Sequence, residues 1–316
     1  MTLDSKIGSV DQFPPSPKPA AWMSKIQHEE EHKPVRVAIV GAAGIGKTSF
    51  GASMPNPILI DWDKGAGETR VKRLPGPTTW EDALSLIRSI GREPGPYKTL
   101  VIDTIDPLET LCESFVCRRD KRKDISTLEN GKDDYGAGYH ALAAEWRVLL
   151  AELDVVRDAG LAICLLAHVI VRRVNDPTLG QYDSFAPQLQ KKTAAETIRW
   201  ADLFGFATFD ASRIKEENRS VVTQDRVLFT SRGSGFDAKN RFSMPHKILL
   251  PPDPARGWAE VDAWIQRHRT PIDEVRQRIV ALAKGTPYEA KAAELAKATD
   301  VGELLDTEKQ LKEKLT

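Results

Sequence analysis

The stretch VRVAIVGAAGIGKTSF, residues 35–50, decides the fold. Val35 to Val40 form a short, largely apolar run of strand length, fit for burial on both faces of a parallel sheet. Gly41, Gly44, Gly46, Lys47 and Thr48 then satisfy G-x-x-x-x-G-K-[ST] without a mismatch, and a helix-like stretch follows. A strand that turns through glycines into a helix predicts a loop whose backbone N–H groups surround phosphate oxygens. The predicted cradle is Gly41, Ala42, Ala43, Gly44, Ile45, Gly46, Lys47, Thr48 and Ser49. Lys47 is expected to reach the β and γ phosphates and the Thr48 hydroxyl to ligate Mg²⁺, so the expected ligand is ATP or GTP with its metal.

Outward from this motif, NPILIDWD, KTLVIDT and GLAICLLAH repeat the short apolar pattern, and amphipathic stretches such as TWEDALSLIRSI and GYHALAAEWRVLLAELDVVRDAG separate them. The second helical stretch ends at Gly160, a helix-stopping residue. Strands alternating with helices predict an α/β fold with a mainly parallel central sheet flanked by helices. ADLFGFATFD, RVLFTSR and HKILLPP read as closing strands, with no long helix between the last two, so an antiparallel edge is expected. Residues 1–34 are Pro-rich and then charge-rich, as in a flexible arm; 35–252 form the core; and 253–316, rich in Ala, Glu and Lys, form a small helical appendage.

Composition narrows the function. Forty-five basic residues balance forty-five acidic ones, so no global positive field draws the chain to nucleic acid, and any polyanion site must be local. Three cysteines without close Cys/His partners argue against a disulfide framework or a zinc site and for a reducing cytoplasm. No apolar run approaches the roughly 20 residues of a membrane span, so a membrane partner is not expected.

The chemistry requires an acid near the metal. Asp103 ends the apolar run YKTLVID and is the expected second Mg²⁺ ligand beside Thr48. Thr104 follows it where many ATPases carry a catalytic Glu, so the base must come from elsewhere. Asp63 in ILIDWDKG is the candidate to orient the attacking water, with Asp61 and Glu68 as neighbouring acids. His168 closes LAICLLAH, where a polar residue faces the ligand crevice of an open α/β sheet and can sense a γ phosphate. Lys239 and Arg241, two apart in AKNRFSMP, share one face of an extended segment. Such a pair either meets an anion or solvates a strand edge.

The order of these pieces resembles the RecA-like P-loop ATPases, and more narrowly those that bacteriophages encode for single-strand annealing and recombination. The stretches that carry the likeness are the P-loop, YGAGYH at 135–140 and AKNRFSMP at 238–245, within roughly residues 35–250. The resemblance implies ATP rather than GTP, a homo-oligomeric ring or filament with ATP between subunits, and Lys239 and Arg241 reaching a neighbour's triphosphate. It also implies single-stranded DNA at two mobile loops, one carrying Arg118, Arg119, Lys121, Arg122 and Lys123, the other Arg172, Arg173, Lys191 and Lys192, with Tyr182 or Phe185 stacking on bases. A single-strand-binding protein is a further partner it suggests, and the host-cell cytoplasm the expected location. Two departures stand out: Asp63 replaces the family's usual Glu, and the C-terminal segment differs. The alternative function is a nucleotide-switched loader that does not handle DNA.

Overall fold

The computed structural model describes residues 32–62, 69–177, 180–214 and 219–315, with residues 176, 211–214 and 219–224 described in their backbone only. At its centre, β1 (Arg36–Gly41) runs parallel to β7 (Ala162–Ala167) on one side and to β10 (Leu203–Ile214) on the other. β4 (Thr99–Asp103), β2 (Pro57–Asp61) and β3 (Lys72–Pro75) extend the parallel order beyond β7. On the far side, β11 (Arg219–Phe229), β13 (Lys247–Leu249) and the two-residue β12 (Lys239–Asn240) join antiparallel. The expected mainly parallel α/β sheet with antiparallel closing strands is therefore present, nine strands in all among the described residues.

The alternation of the strands sorts their side chains. Ala38 and Val40 enter the core on one face, with Ile60, Ile102 and Leu165; Val37 and Ile39 enter the other, with Leu59, Val101 and Leu166. The first face is covered by α2 (Trp80–Arg92), α3 (Ile105–Arg119), α4 (Ala137–Asp158) and α5 (Lys191–Trp200). α2 starts where the Thr79 hydroxyl accepts from the Asp82 N–H, and it buries Trp80, Ala83, Leu84 and Ile87, one stripe at helical spacing. Its Trp80 stacks on Trp146 of α4. The second face is covered by α1 (Lys47–Ala52) and α6 (Gly257–Arg269), where Phe50 meets Trp258 edge-on at 6.1 Å. α6 thus belongs with the sheet. α7 (Ile272–Ala283), α8 (Glu289–Leu295) and α9 (Val301–Leu315) close a separate small core around Val275, Ile279 and Leu304.

The two basic stretches expected as mobile loops are hydrogen-bonded structure. Arg118 and Arg119 end α3, and the chain turns into a small hairpin of β5 (Arg122–Asp124) and β6 (Thr127–Leu128). After His168 comes a longer hairpin of β8 (Val169–Asp176) and β9 (Gly180–Pro187), paired from Val169↔Pro187 to Asp176↔Gly180. Among the described residues no helix is long and apolar enough to cross a membrane. The expected arm lies, up to residue 31, outside the described residues.

Candidate functional site

The loop between β1 and α1 is shaped by three glycines in two different ways. Gly44 and Gly46 have φ of 78° and 99°, the left-handed region that favours glycine. Gly41 serves close approach instead: a Cβ there would lie 2.6 Å from the Ala207 carbonyl oxygen of β10. Lys47 is buried, and its ammonium donates to the carbonyls of Gly41 and Ala42, both at 3.1 Å, so the cation stands inside the loop. The Thr48 hydroxyl donates to Asp103 Oδ2 at 2.6 Å. Asp103 comes from the end of β4, two strands away from β1, with β7 between them.

Mg²⁺ prefers few protein oxygens and completes its octahedron with phosphate and water. A hydroxyl and a carboxylate oxygen within 2.6 Å of each other at the mouth of the loop fit that demand. Among the described residues no cluster of three His, Cys, Asp or Glu side chains offers a competing site. Thr48 and Asp103 would hold the metal, and Lys47 with the backbone of 41–49 would hold the phosphates.

Beside the loop, the carboxyl ends of β2, β4 and β7 open into a cleft of about 1230 Å³. Asp61, Trp62, Thr104, Asp106, Glu109 and His168 contribute to its wall, while residues 41–49 lie next to it and not in it. Asp61 is buried, in register with Asp103, and 3.7 Å from the Arg73 guanidinium. Asp63, the candidate base, lies outside the described residues, as does Glu68.

His168 lines the cleft with 23% of its side chain exposed. Asp106 holds it twice: one carboxylate oxygen accepts from the His168 backbone N–H at 3.0 Å and the other meets Nδ1 at 2.7 Å. The Thr104 hydroxyl also donates to Asp106, at 2.8 Å. A carboxylate on Nδ1 places the proton there and fixes the orientation of the ring at the wall of the cleft. Asp106 is the site residue that the sequence reading missed; its signal was a second acid three residues after Asp103, in DTIDP.

One turn further along α3, both Glu109 oxygens accept from the Gln190 N–H at 2.9 Å, and Thr193 donates to the same carboxylate. Burial pushes the Glu109 carboxyl up to about 7, against those hydrogen bonds. Asp106 and Glu109 therefore tie α3 to the start and to the exit of the β8–β9 hairpin.

This is the geometry of a phosphate-binding loop with its metal-site acid, and a search with family models agrees: an AAA domain model matches residues 33–242, well over half of the 316-residue chain. The chain belongs to the AAA domain family. A search of curated proteins found no match. Membership makes this AAA domain an ATPase-type, nucleotide-binding domain, and the contact between Thr48 and Asp103 lies within the matched span.

Elsewhere in the AAA domain, Lys239 and Arg241 both meet groups at the end of α5 and just beyond it. Lys239 donates to the carbonyls of Ile198, Arg199 and Ala201, the negative end of α5, at 2.8–3.0 Å. Arg241, with 53% of its side chain exposed, pairs with Asp202 at 3.2 Å. Asp202 also binds Arg36 and Arg157; burial raises its proton affinity, but the Arg36 bonds and both charges win and hold it below the usual carboxylate range. Burial and the nearby Arg241 charge weaken the Lys239 proton in turn.

The cations expected to contact DNA are divided. Arg118 pairs with Glu81, Arg119 with Asp120 and Glu145, and Arg122 with Asp134. Arg172 donates to the Leu189 carbonyl, and Lys192 to the His140 ring. Lys121, Lys123 and Lys191 are exposed, and so is Arg173, 3.8 Å from Asp183. Phe185 stacks on Phe206 at 5.2 Å inside a cluster with Phe229 and Phe236, so this ring anchors the hairpin to the sheet. Tyr182 is half-buried on β9, opposite Val174.

Proposed function

We propose that this AAA domain hydrolyses ATP with Mg²⁺ and uses the cycle to reposition the β8–β9 hairpin on single-stranded DNA, as an oligomer acting in phage recombination or single-strand annealing. The observation that carries the reading is the Asp106 carboxylate, which grips both the backbone and the ring of His168 at the point where the sheet gives way to the hairpin. His168 is the residue between β7, which lies between the P-loop strand and the Asp103 strand, and β8, so a change in what its ring meets is passed directly to β8.

In this reading Lys47 and the loop N–H groups bind and orient the triphosphate, and Thr48 and Asp103 hold the metal. When bound, Mg²⁺ supplies stabilisation of charge developing on the phosphate oxygens. An acid beyond the end of β2 orients the attacking water, the role assigned to Asp63; Asp61, at the end of β2, is buried. The exposed Lys121, Lys123, Arg173 and Lys191 meet DNA phosphates. Arg241, half exposed, is the cation for a neighbour's triphosphate, since Lys239 is committed to α5.

A second reading has its own observation. Arg118, Arg119, Arg122 and Arg172 all have partners within the chain, which favours a nucleotide-switched loader that leaves DNA to another protein. ATP turnover with and without single-stranded DNA, across a salt series, separates the two. Stimulation that fades as salt rises supports the DNA-handling reading. Turnover indifferent to DNA, without DNA binding in the presence of a non-hydrolysable ATP analogue, selects the loader.

A further inference from the structure

Arg226 is a cation that stands beside the phosphate loop and is held by backbone carbonyls. It lies on β11, opposite Phe209 of β10, two positions beyond Ala207, which pairs with Gly41 at the end of β1. That register places it beyond the end of β1, on the side of the phosphate loop. A methyl group added at Gly46 would lie 2.5 Å from Arg226 Nη1, so the guanidinium is seated against the glycine that begins α1. Gly46 has no side chain where the guanidinium stands, and its φ of 99° turns the loop there.

Electrostatically this is a costly place for a positive charge. It adjoins Lys47 and the N–H end of a helix, and like charges at such distances repel. Arg226 Nη2 donates to the carbonyls of Pro251 and Pro252, which fix the group but do not neutralise it. Among the described residues no carboxylate pairs with Arg226, in contrast to Arg36, Arg157 and Arg241, which share Asp202. A fixed guanidinium beside an anion cradle, compensated by carbonyl dipoles alone, is matched to an anion that comes with the ligand.

Position also selects which part of the ligand. β11 and β10 lie on one side of β1; β7, followed by His168, and β4 and β2, which end in Asp103 and Asp61, lie on the other. The hydrolysed end of the nucleotide belongs with Thr48 and Asp103, and Arg226 flanks the opposite side.

We propose that Arg226 is a nucleotide-contacting residue supplied in cis, which binds the phosphates nearest the nucleoside and sets affinity for ATP and ADP alike. The inference rests on the reading of residues 41–49 as the nucleotide site and adds a residue and a specificity to it.

The test is binding of ATP and of ADP, each with Mg²⁺, to the full chain by titration calorimetry. Wild type is compared with Arg226→Gln, which keeps a donor for the Pro251 and Pro252 carbonyls without the charge, with Arg226→Lys and with Lys47→Ala. Arg226→Gln is expected to weaken both nucleotides by about tenfold or more, as for loss of one charged hydrogen bond, and Arg226→Lys to recover part of that. Unchanged affinity with a lowered melting temperature would make Arg226 only a clamp on residues 251–252 and overturn the inference. Loss for ATP with none for ADP would overturn its assignment to the inner phosphates. Wild type that binds neither nucleotide would overturn the P-loop reading itself, whereas wild-type binding that Lys47→Ala abolishes and Arg226→Gln does not touch defeats this inference alone.

Discussion

The Thr48 hydroxyl and Asp103 Oδ2 stand 2.6 Å apart, although fifty-five residues separate them in the chain and one whole strand separates them in the sheet. Two residue types with oxygen ligands converge there because the β1–β7–β4 order brings both strand ends to one edge.

Asp103→Asn is expected to lower ATP turnover by at least about 10²-fold while the protein stays folded, since the amide oxygen is a poor substitute for a metal-binding carboxylate. Lys47→Ala should abolish turnover. Phosphate release at saturating ATP and Mg²⁺ measures both, and wild-type rates in either variant would remove these residues from the site.

The Asp106 grip on His168 makes a second prediction. In wild type, amide hydrogen exchange within 169–187 should slow or quicken between ADP and a non-hydrolysable ATP analogue. In Asp106→Ala that difference should shrink at least about threefold with nucleotide binding retained, because the free ring no longer transmits its position to β8. An Asp106→Ala protein with the full wild-type difference would rule the pair out as the relay.

Lys239 closes the C-terminal end of α5 with three carbonyl contacts. Lys239→Ala should cost about 1–3 kcal/mol of stability by urea unfolding, and Asp202→Asn about 3–5 kcal/mol because it strands buried arginine charge. If Arg241 reaches a neighbouring subunit, an inactive Arg241→Ala protein mixed with inactive Lys47→Ala should regain part of the turnover, since some mixed interfaces then hold one intact site. No recovery at any ratio would leave Arg241 a partner of Asp202 alone.

Glu109 predicts a pH effect with a definite sign. Its carboxyl is pushed up from 4.5 to about 7 in the fold, chiefly by burial, so the native state binds a proton that the unfolded chain has lost. That contribution is complete below about pH 4.5 and is lost as pH rises through about 7, the loss over that window being on the order of 3 kcal/mol. Urea unfolding between pH 5 and pH 8 should show falling stability from this source, and Glu109→Gln should flatten the slope; an unchanged slope would mean that Glu109 titrates as it does in the unfolded chain.

The fold was largely legible because its signals are local. An apolar run, a Gly-rich turn and a helix pattern each lie within a few residues, and 35–50, 57–61, 99–103 and 162–168 announce themselves in that way. The basic stretches were misread as mobile loops because a charge run carries no period. RRDKRKD ends in a hairpin where Asp134 reaches back to Arg122, and VIVRRVND pairs with a strand that begins at Gly180.

By itself, then, the sequence determined the parallel α/β core and the phosphate loop, because G-x-x-x-x-G-K-T encodes a backbone path and its ligand contacts in eight consecutive residues. The tertiary structure alone decided how the scattered charges are spent. Lys239 and Arg241 turn inward to α5 and Asp202, Asp106 takes His168, and Arg226 comes to stand against Gly46, 180 positions earlier in the chain. Strand order and register set which side chains meet at a sheet end, and a buried or crowded charge settles beside whichever carboxylate, carbonyl or helix end lies within about 3 Å.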